Sequence, residues 1–290
     1  MAKTDIVISV GTKDCFIVQK TIKYIYSYIG SDHIYILTDI RNKIFFLDKF
    51  LKKYNVTILD ENNLIENLSF NSVKLSMQKH FDNNVRIYGW YFQQFLKMGF
   101  ALTKYAKNKY LIWDADTIPL RKLTFSENSK DIFTIKTEYH KPYFQTLNKI
   151  LGLQKVVNYS FIAEHMLINV EVMEEIINKI NENTIEGSTW YEKIINAVDK
   201  ESANGFSEFE TYGTYCHHKY PNRFSIKELQ THRDAGKKYG RLLSDKALRR
   251  LGKKYDTASF EFNDTPVFPI NISHLLSKVF FKLLTKVRNL

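Results

Sequence analysis

Apolar and polar positions follow two rhythms in the first half of the chain. Asp5 to Val10 (DIVISV) is a short β-branched run closed by Gly11-Thr12, the pattern of a buried strand entering a turn. From Cys15 to Ile29 the apolar residues Val18, Ile22, Ile25 and Ile29 fall at helical spacing, and Gly30 ends the segment. Ile34 to Leu37 reads as a second strand closed by Thr38-Asp39. Phe45 to Tyr54 reads as a helix, and Val56 to Leu59 as a third strand ending at Asp60-Glu61. Such short β-α-β-α-β connections predict an α/β domain with a parallel sheet covered by helices. Ligands of these sheets bind at the carboxyl ends of strands. The polar residues there are Ser9, Gly11, Thr12, Thr38, Asp39, Asp60 and Glu61.

The stretch from Asn62 to Val85 is less regular. A strong helical stripe runs from Trp90 to Tyr105, and Tyr110 to Trp113 (YLIW) is a buried strand running into Asp114-Ala115-Asp116. Asp131 to Ile135 is a further strand, while Val170 to Ile180 and Thr189 to Val198 carry helical spacing. Beyond about Pro221 the α/β pattern fades and basic residues concentrate.

Length and composition change this picture little. The 290 residues are 44% hydrophobic and 25% charged, enough for a substantial core and unlike a disordered chain. Cys15 and Cys216 are far apart and form no CxxC, which excludes a disulfide framework or a cysteine zinc site and suits a reducing compartment. No run reaches the roughly 18 apolar residues of a membrane span, and the N-terminus lacks a secretion signal. The default location is therefore the cytoplasm. The net charge of +11 asks for an anionic partner: a phosphorylated small molecule, a membrane face or nucleic acid. No RNA- or DNA-binding motif is present, which argues against the last.

Asp114-x-Asp116 is the sharpest chemical signal. Two carboxylates one residue apart, on a turn just past a strand end, can reach one site. They are hard ligands suited to magnesium or manganese, ions that keep waters and bridge to substrate phosphates. The plain alternative is a solvated turn, since isolated DxD pairs arise by chance.

The run Tyr110-Leu-Ile-Trp-Asp-Ala-Asp-Thr-Ile-Pro-Leu-Arg121 resembles the metal-binding segment of GT-A-fold glycosyltransferases. Gly89-Trp-Tyr-Phe-Gln-Gln-Phe-Leu-Lys97 and Phe206-Ser-Glu-Phe-Glu-Thr-Tyr-Gly213 resemble segments of a bacterial, DxD-containing sugar transferase family of surface polysaccharide synthesis. The likeness covers about residues 5 to 235. It implies a GT-A-like, Rossmann-type nucleotide-binding sheet flanked by helices over residues 1–235, with a basic C-terminal helical extension over 236–290. It also implies Mn2+ or Mg2+ held by Asp114 and Asp116, and a nucleotide-sugar donor, most simply uridine-linked.

By the same resemblance, Ser9, Gly11, Thr12 and Asp39 lie near the nucleoside. Trp90, Gln93, Gln94 and Lys97 could face sugar hydroxyls and pyrophosphate, unless they are only the solvated side of an amphipathic helix. Glu208 or Glu210 is the base that an inverting transfer needs. Ser207 and Glu210 equally fit a helix capping box, S-x-x-E. His232 is the best-placed third metal ligand, with Arg233 beside it for phosphate; His217, His218 and His274 are further candidates. His165 could touch sugar or acceptor.

The C-terminal segment carries its own signal. Lys237 to Lys254 holds eight Lys or Arg against one Asp. Leu276, Val279, Phe280, Leu283 and Val287 then form an apolar stripe, with Lys278, Lys282 and Lys286 on another face. That pattern fits a helix lying on an anionic membrane surface. Together the expectations describe a cytoplasmic, peripherally membrane-bound enzyme transferring sugar to a glycan or lipid-linked acceptor, in capsule or lipopolysaccharide synthesis. The rivals are a sugar-phosphate nucleotidyltransferase, which would want a Gly-rich basic loop after the first strand, and a non-enzymatic polyanion-binding protein.

Overall fold

The structure is a computed structural model that describes residues 4–82 and 87–266, together with 271, 275, 279, 285 and 286. In chain order it opens with β1 (Asp5–Ser9), a 3-10 turn (Thr12–Asp14) and α1 (Ile17–Tyr28). Then come β2 (Ile34–Thr38), a second 3-10 turn (Ile40–Phe45), α2 (Asp48–Tyr54) and β3 (Val56–Asp60). β1 and β2 are buried along their whole length, as expected of apolar runs covered on both faces. Asn55, with φ of 51°, ends α2 in the left-handed conformation that asparagine tolerates.

Next are α3 (Phe70–His80), α4 (Tyr88–Gly99), β4 (Lys109–Trp113), β5 (Thr117–Pro119), β6 (Ser126–Glu127) and β7 (Lys130–Ile135). α3 lies in the stretch that reads as irregular. Ser69 caps it, with Ser72 completing the reciprocal box, and only Val73 and Met77 are buried on it. The helix expected from Trp90 to Tyr105 is shorter: it passes into a 3-10 turn (Phe100–Leu102). α5 (Lys141–Leu151), β8 (His165–Asn169), α6 (Val170–Glu182), α7 (Trp190–Ala197), α8 (Glu208–Lys219) and β9 (Phe224–Glu228) follow. The chain then forms β10 (Thr231–His232), α9 (Ala235–Tyr239), α10 (Asp245–Leu251) and β11 (Thr257–Ser259).

These elements form two compact units. The first comprises Met1–Leu59, Trp113–Thr124 and Leu229–Leu290; the second comprises Asp60–Ile112 and Phe125–Glu228. In the first, β1 and β2 pair in parallel from Ile6↔Ile34 to Ser9↔Leu37, and β3 flanks β2. A small second sheet runs β10-β11-β5, with β11 antiparallel to β5 through Ala258↔Ile118. Ile17 and Tyr24 of α1 share one core cluster with Ile118, Leu243, Leu248 and Phe260.

Within residues 236–260, the start of the expected basic extension, Leu243, Leu248, Ala258 and Phe260 pack in this cluster, and β11 brings Ala258 beside Ile118 of β5. Of the expected interfacial stripe, Val279 is exposed, whereas Leu276, Phe280, Leu283, Val287, Lys278 and Lys282 lie outside the described residues, as does His274. No helix among the described residues is long and apolar enough to cross a membrane.

In the second unit β4 and β8 lie side by side. β7 pairs antiparallel with β6 and parallel with β9, from Asp131↔Phe224 to Ile135↔Glu228. Helices α4 and α7 supply a buried aromatic cluster, in which Phe95 touches Trp190, Tyr191 and, just before α8, Phe206.

Candidate functional site

In the first unit, the turn that follows β4 is stapled through its backbone. The Thr21 hydroxyl donates to the Ala115 carbonyl at 2.8 Å, Thr117 N–H to Asp114 O at 3.2 Å, and Phe260 N–H to Asp116 O at 2.9 Å. The Trp113 indole N–H reaches across to the Thr117 carbonyl at 2.6 Å. Each carbonyl from Asp114 to Asp116 is therefore occupied, which holds the turn in one shape. Both carboxylates remain half-buried at its rim.

A third carboxylate that sequence reasoning missed belongs with them. Asp14, in the 3-10 turn after β1, is 5% exposed and pairs with Arg241 at 2.6 Å. Arg241 also donates to the Lys13 carbonyl at 3.0 Å and lies over the Phe262 ring at 5.3 Å, while its buried Nε has no partner among the described residues. Burial raises the Asp14 carboxyl above its ordinary value in spite of Arg241 and Lys13, and Asp114 adds to the rise. Asp116 is pushed up to about 8, by burial first and then by the charges of Asp14 and Asp114, with Glu261 adding further. Arg241 and Lys13 are the cations that act on Asp14, and Arg241 also acts on Asp116.

The chemistry of the donor set is the test of whether a metal fits. Among the described residues no three His, Cys, Asp or Glu side chains converge into a complete cage. Two aspartates on one rigid turn nevertheless match an ion such as Mg2+ or Mn2+, which completes its shell with water and substrate phosphate. His232, expected as a third ligand, instead has its ring between Tyr239 and Tyr255, at 5.8 and 4.7 Å, and burial lowers its pKa. Arg233, next to it, is exposed.

Ser9 is buried at the carboxyl end of β1, its hydroxyl unpartnered among the described residues. Gly11 caps the 3-10 turn that Thr12 opens. Thr38 closes β2 and Asp39 follows it. The Thr38 hydroxyl donates to the Val10 carbonyl at 2.6 Å, and Asp39 is gripped by Arg41 through backbone and side chain.

The second unit holds the acidic segment. Ser207 caps α8 by accepting from Glu210 N–H at 3.3 Å, as the S-x-x-E spacing predicts. The reciprocal half of the box is missing because the Glu210 carboxylate is used elsewhere. One oxygen accepts from the Ser160 hydroxyl and from Phe161 N–H at 3.1 Å; the other, Oε2, is buried and unpartnered among the described residues. Burial raises the Glu210 pKa, opposed by Ser160 and Lys155. A methyl on Gly213, one turn further along α8, would fall 2.3 Å from the Phe161 ring, so glycine is what lets that ring approach.

Glu208 is in a different condition. Its carboxylate meets Lys97 at 2.9 Å, with both side chains under a tenth exposed, and its N–H donates to Gln94 at 3.1 Å. Lys97 also lies over the Phe209 ring at 4.8 Å. Gln94 and Lys97 thus meet α8 inside the second unit, with the Gln94 Nε2 buried and unpartnered among the described residues, while Gln93 is half-buried on the same helix. Trp90 is half-buried and stacks near Tyr143, with centroids 6.5 Å apart. Burial, then Glu208 and Glu210, raise the Tyr143 phenol to about 12.

His165 is 1% exposed and bonds Thr134 at 2.8 Å; burial, then Lys136, lower its pKa to about 3. It is an interior residue and not a rim residue. His217 packs near Phe224 at the end of α8, and His218 meets the Gln154 carbonyl at 2.9 Å.

Comparison with known proteins supplies a family and a fold. The model of DUF6492, a family of unknown function, matches residues 8–258. No curated protein sequence matches the chain. Among solved structures, mouse xyloside xylosyltransferase 1 is similar at 12% identity and a TM-score of 0.50, over 92% of this chain and 100% of that one. The galactosyltransferase LgtC is 12% identical with a TM-score of 0.45, over 95% and 96% of the two chains. GlyE, a glycosyltransferase of Streptococcus pneumoniae, is 12% identical with a TM-score of 0.43, over 99% of this chain and 64% of its own. The last two likenesses are too distant to carry an argument. The α/β architecture, with a parallel sheet flanked by helices, is the GT-A-like fold expected from the sequence.

Proposed function

Because the chain belongs to DUF6492, a family of unknown function, we propose its activity from the site itself. It is a metal-dependent glycosyltransferase of the hexosyl type, moving a sugar from a nucleotide-sugar donor to a glycan or lipid-linked acceptor. The observation that carries this reading is the mutual influence of Asp14, Asp114 and Asp116 after β1 and β4, which together with burial lifts the Asp116 carboxyl, while Arg241 pairs with Asp14. A bound Mn2+ or Mg2+ would neutralise charge on a leaving nucleoside diphosphate.

In this reading Asp114 and Asp116 are the metal ligands. Ser9, Gly11 and Thr12 line the nucleoside's approach, and Ser9 offers an uncommitted hydroxyl. Arg241 holds Asp14 in place. Of the two glutamates, Glu210 is the better base: its Oε2 is uncommitted and burial favours its proton, whereas Glu208 is tied to Lys97. In an inverting transfer Glu210 takes the proton of the acceptor hydroxyl. A uridine-linked donor, a cytoplasmic site of action on the membrane's inner face and a role in surface polysaccharide synthesis belong to the same proposal.

Calorimetric titration of UDP and GDP, with and without manganese, tests it. Wild type should bind one of them in a manganese-dependent way, and the Asp114→Ala/Asp116→Ala protein should not. Binding of neither nucleotide, alongside salt-sensitive binding to polyanions, would favour the non-enzymatic reading. The nucleotidyltransferase reading is less favoured, because a short 3-10 turn follows β1 in place of a Gly-rich basic loop.

A further inference from the structure

The segment between β2 and β3 has an interior that fixes it and an exterior that nothing among the described residues covers. Asn42 is 1% exposed and donates its amide to the Thr38 hydroxyl at 2.8 Å. Gln19 donates to the Phe45 carbonyl at 3.1 Å, and Phe46 is 5% exposed. With its backbone held in this way, the 3-10 turn directs Ile40 and Ile44 outward, and Leu47 follows at the start of α2, at 47%, 60% and 74% exposure. Phe16, also exposed, touches Phe45 with ring centroids 5.7 Å apart. A single exposed aliphatic residue is ordinary, but a cluster on a well-anchored turn marks a contact surface.

The charges of the same segment say what kind of contact. Lys43, Lys49, Lys52 and Lys53 are exposed. Of the acids nearby, Asp39 is already neutralised by Arg41, which leaves Asp48. On α2 the inner positions Phe50, Leu51 and Tyr54 are at least half-buried, so its outer face is almost wholly lysine. Apolar tips surrounded by lysine are what an amphipathic surface needs at an anionic lipid interface, where side chains enter the acyl boundary and ammonium groups meet headgroups.

We propose that the surface from Ile40 to Lys53, with Phe16, docks the protein on an anionic lipid bilayer. Two other occupants fit less well. A two-fold dimer would bring the lysines of two copies together at a cost. Single-stranded nucleic acid is gripped by rows of exposed aromatic faces, whereas here Ile40, Ile44 and Leu47 are aliphatic and Phe16 is the one exposed aromatic beside them. This proposal rests on the membrane location named above and gives it a surface, but it stands or falls apart from sugar transfer itself, since no residue in it belongs to the carboxylate group.

The test is vesicle flotation of the full chain with phosphatidylglycerol-containing and pure phosphatidylcholine vesicles. It compares wild type with Ile44→Ser/Leu47→Ser and with Lys49→Gln/Lys52→Gln/Lys53→Gln. Wild type should float only with the anionic vesicles. The serine pair should weaken binding about tenfold, and the glutamine triple on the order of a hundredfold. Both variants change exposed side chains, and unaltered melting with retained nucleotide binding would show them folded. Unchanged flotation of both variants overturns the proposal, and so does absence of wild-type binding. Loss with the lysine triple but not the serine pair would reduce the surface to a polyanion site and also overturn it. Concentration-dependent dimers abolished by the serine pair would assign the surface to a second copy instead.

Discussion

Arg241 and Asp14 lie 227 positions apart in the chain and meet at 2.6 Å, each less than a tenth exposed. Their contact ties the turn after β1 to the segment after α9. It also sets one cation among acids that burial has already strained. Replacing Arg241 by Met should destabilise the protein by about 3 kcal/mol in urea unfolding, because Asp14 is then a buried charge without its counter-ion. Adding Asp14→Asn should recover a good part of that loss. Simple additivity of the two changes would mean that the pair is not coupled.

The two glutamates of α8 should respond in opposite ways. Glu208→Gln takes from buried Lys97 the opposite charge it meets at 2.9 Å, and should cost about 3 kcal/mol. Glu210→Gln retains an acceptor for Ser160 and Phe161, so the fold should hold while transfer falls by a hundredfold or more. The pH dependence carries a sign. Glu210 has a folded pKa above its unfolded value, so its contribution to stability is full at low pH and lost as pH rises through the folded pKa. Glu210→Gln should remove that decline, together with the acid limb of kcat/KM. A limb that survives in the variant assigns the base to another group.

His165 offers an independent check through acid unfolding. Its folded pKa is about 3 against 6.5 for the free side chain, so the unfolded chain takes up a proton that the folded one refuses. Stability should therefore fall as pH drops below 6.5, by roughly 3 kcal/mol at pH 4. His165→Gln, which can still bond Thr134, should flatten that limb in urea titrations at the two pH values. Identical limbs in both proteins would show that His165 is not the titrating group.

Asp116 should show the conflict between fold and function. Without metal, Asp116→Asn removes a charge that burial and its neighbours disfavour, so the variant should melt no lower than wild type. With manganese and nucleotide, only wild type should gain, by about 2.7 kcal/mol at a hundredfold excess over Kd. A variant that gains equally would exclude Asp116 as a ligand.

How far the sequence reveals all this depends on the range of each interaction. Strands β1 to β3 and helix α1 are legible because burial on a sheet or a stripe imposes periods of two and 3.6. α3 is not, since only Val73 and Met77 face inward and its start rests on the Ser69–Ser72 cap. Ser207 as a helix cap could be read from local spacing, but the turning away of the Glu210 carboxylate could not, because its partners lie some fifty residues earlier. The aspartates at 114 and 116 stand out by their setting after YLIW. Asp14 and Arg241 carry no local mark, and only folding brings them together. The contacts of Lys97 and Gln94 with Glu208 are hidden for the same reason: polarity on a helix does not disclose which polar groups will meet inside.

The first unit is assembled from three separate stretches of chain, and the last of them contains β11. On the ribosome, β1, β2 and both aspartates of the turn emerge long before Ser259 and Phe260. Until those two residues appear, β5 has no partner on that side and the Asp116 carbonyl lacks the amide that anchors it. The carboxylate pair is therefore a late product of synthesis. A nascent or truncated chain ending before β11 carries the complete DxD sequence without the rigid turn that presents it.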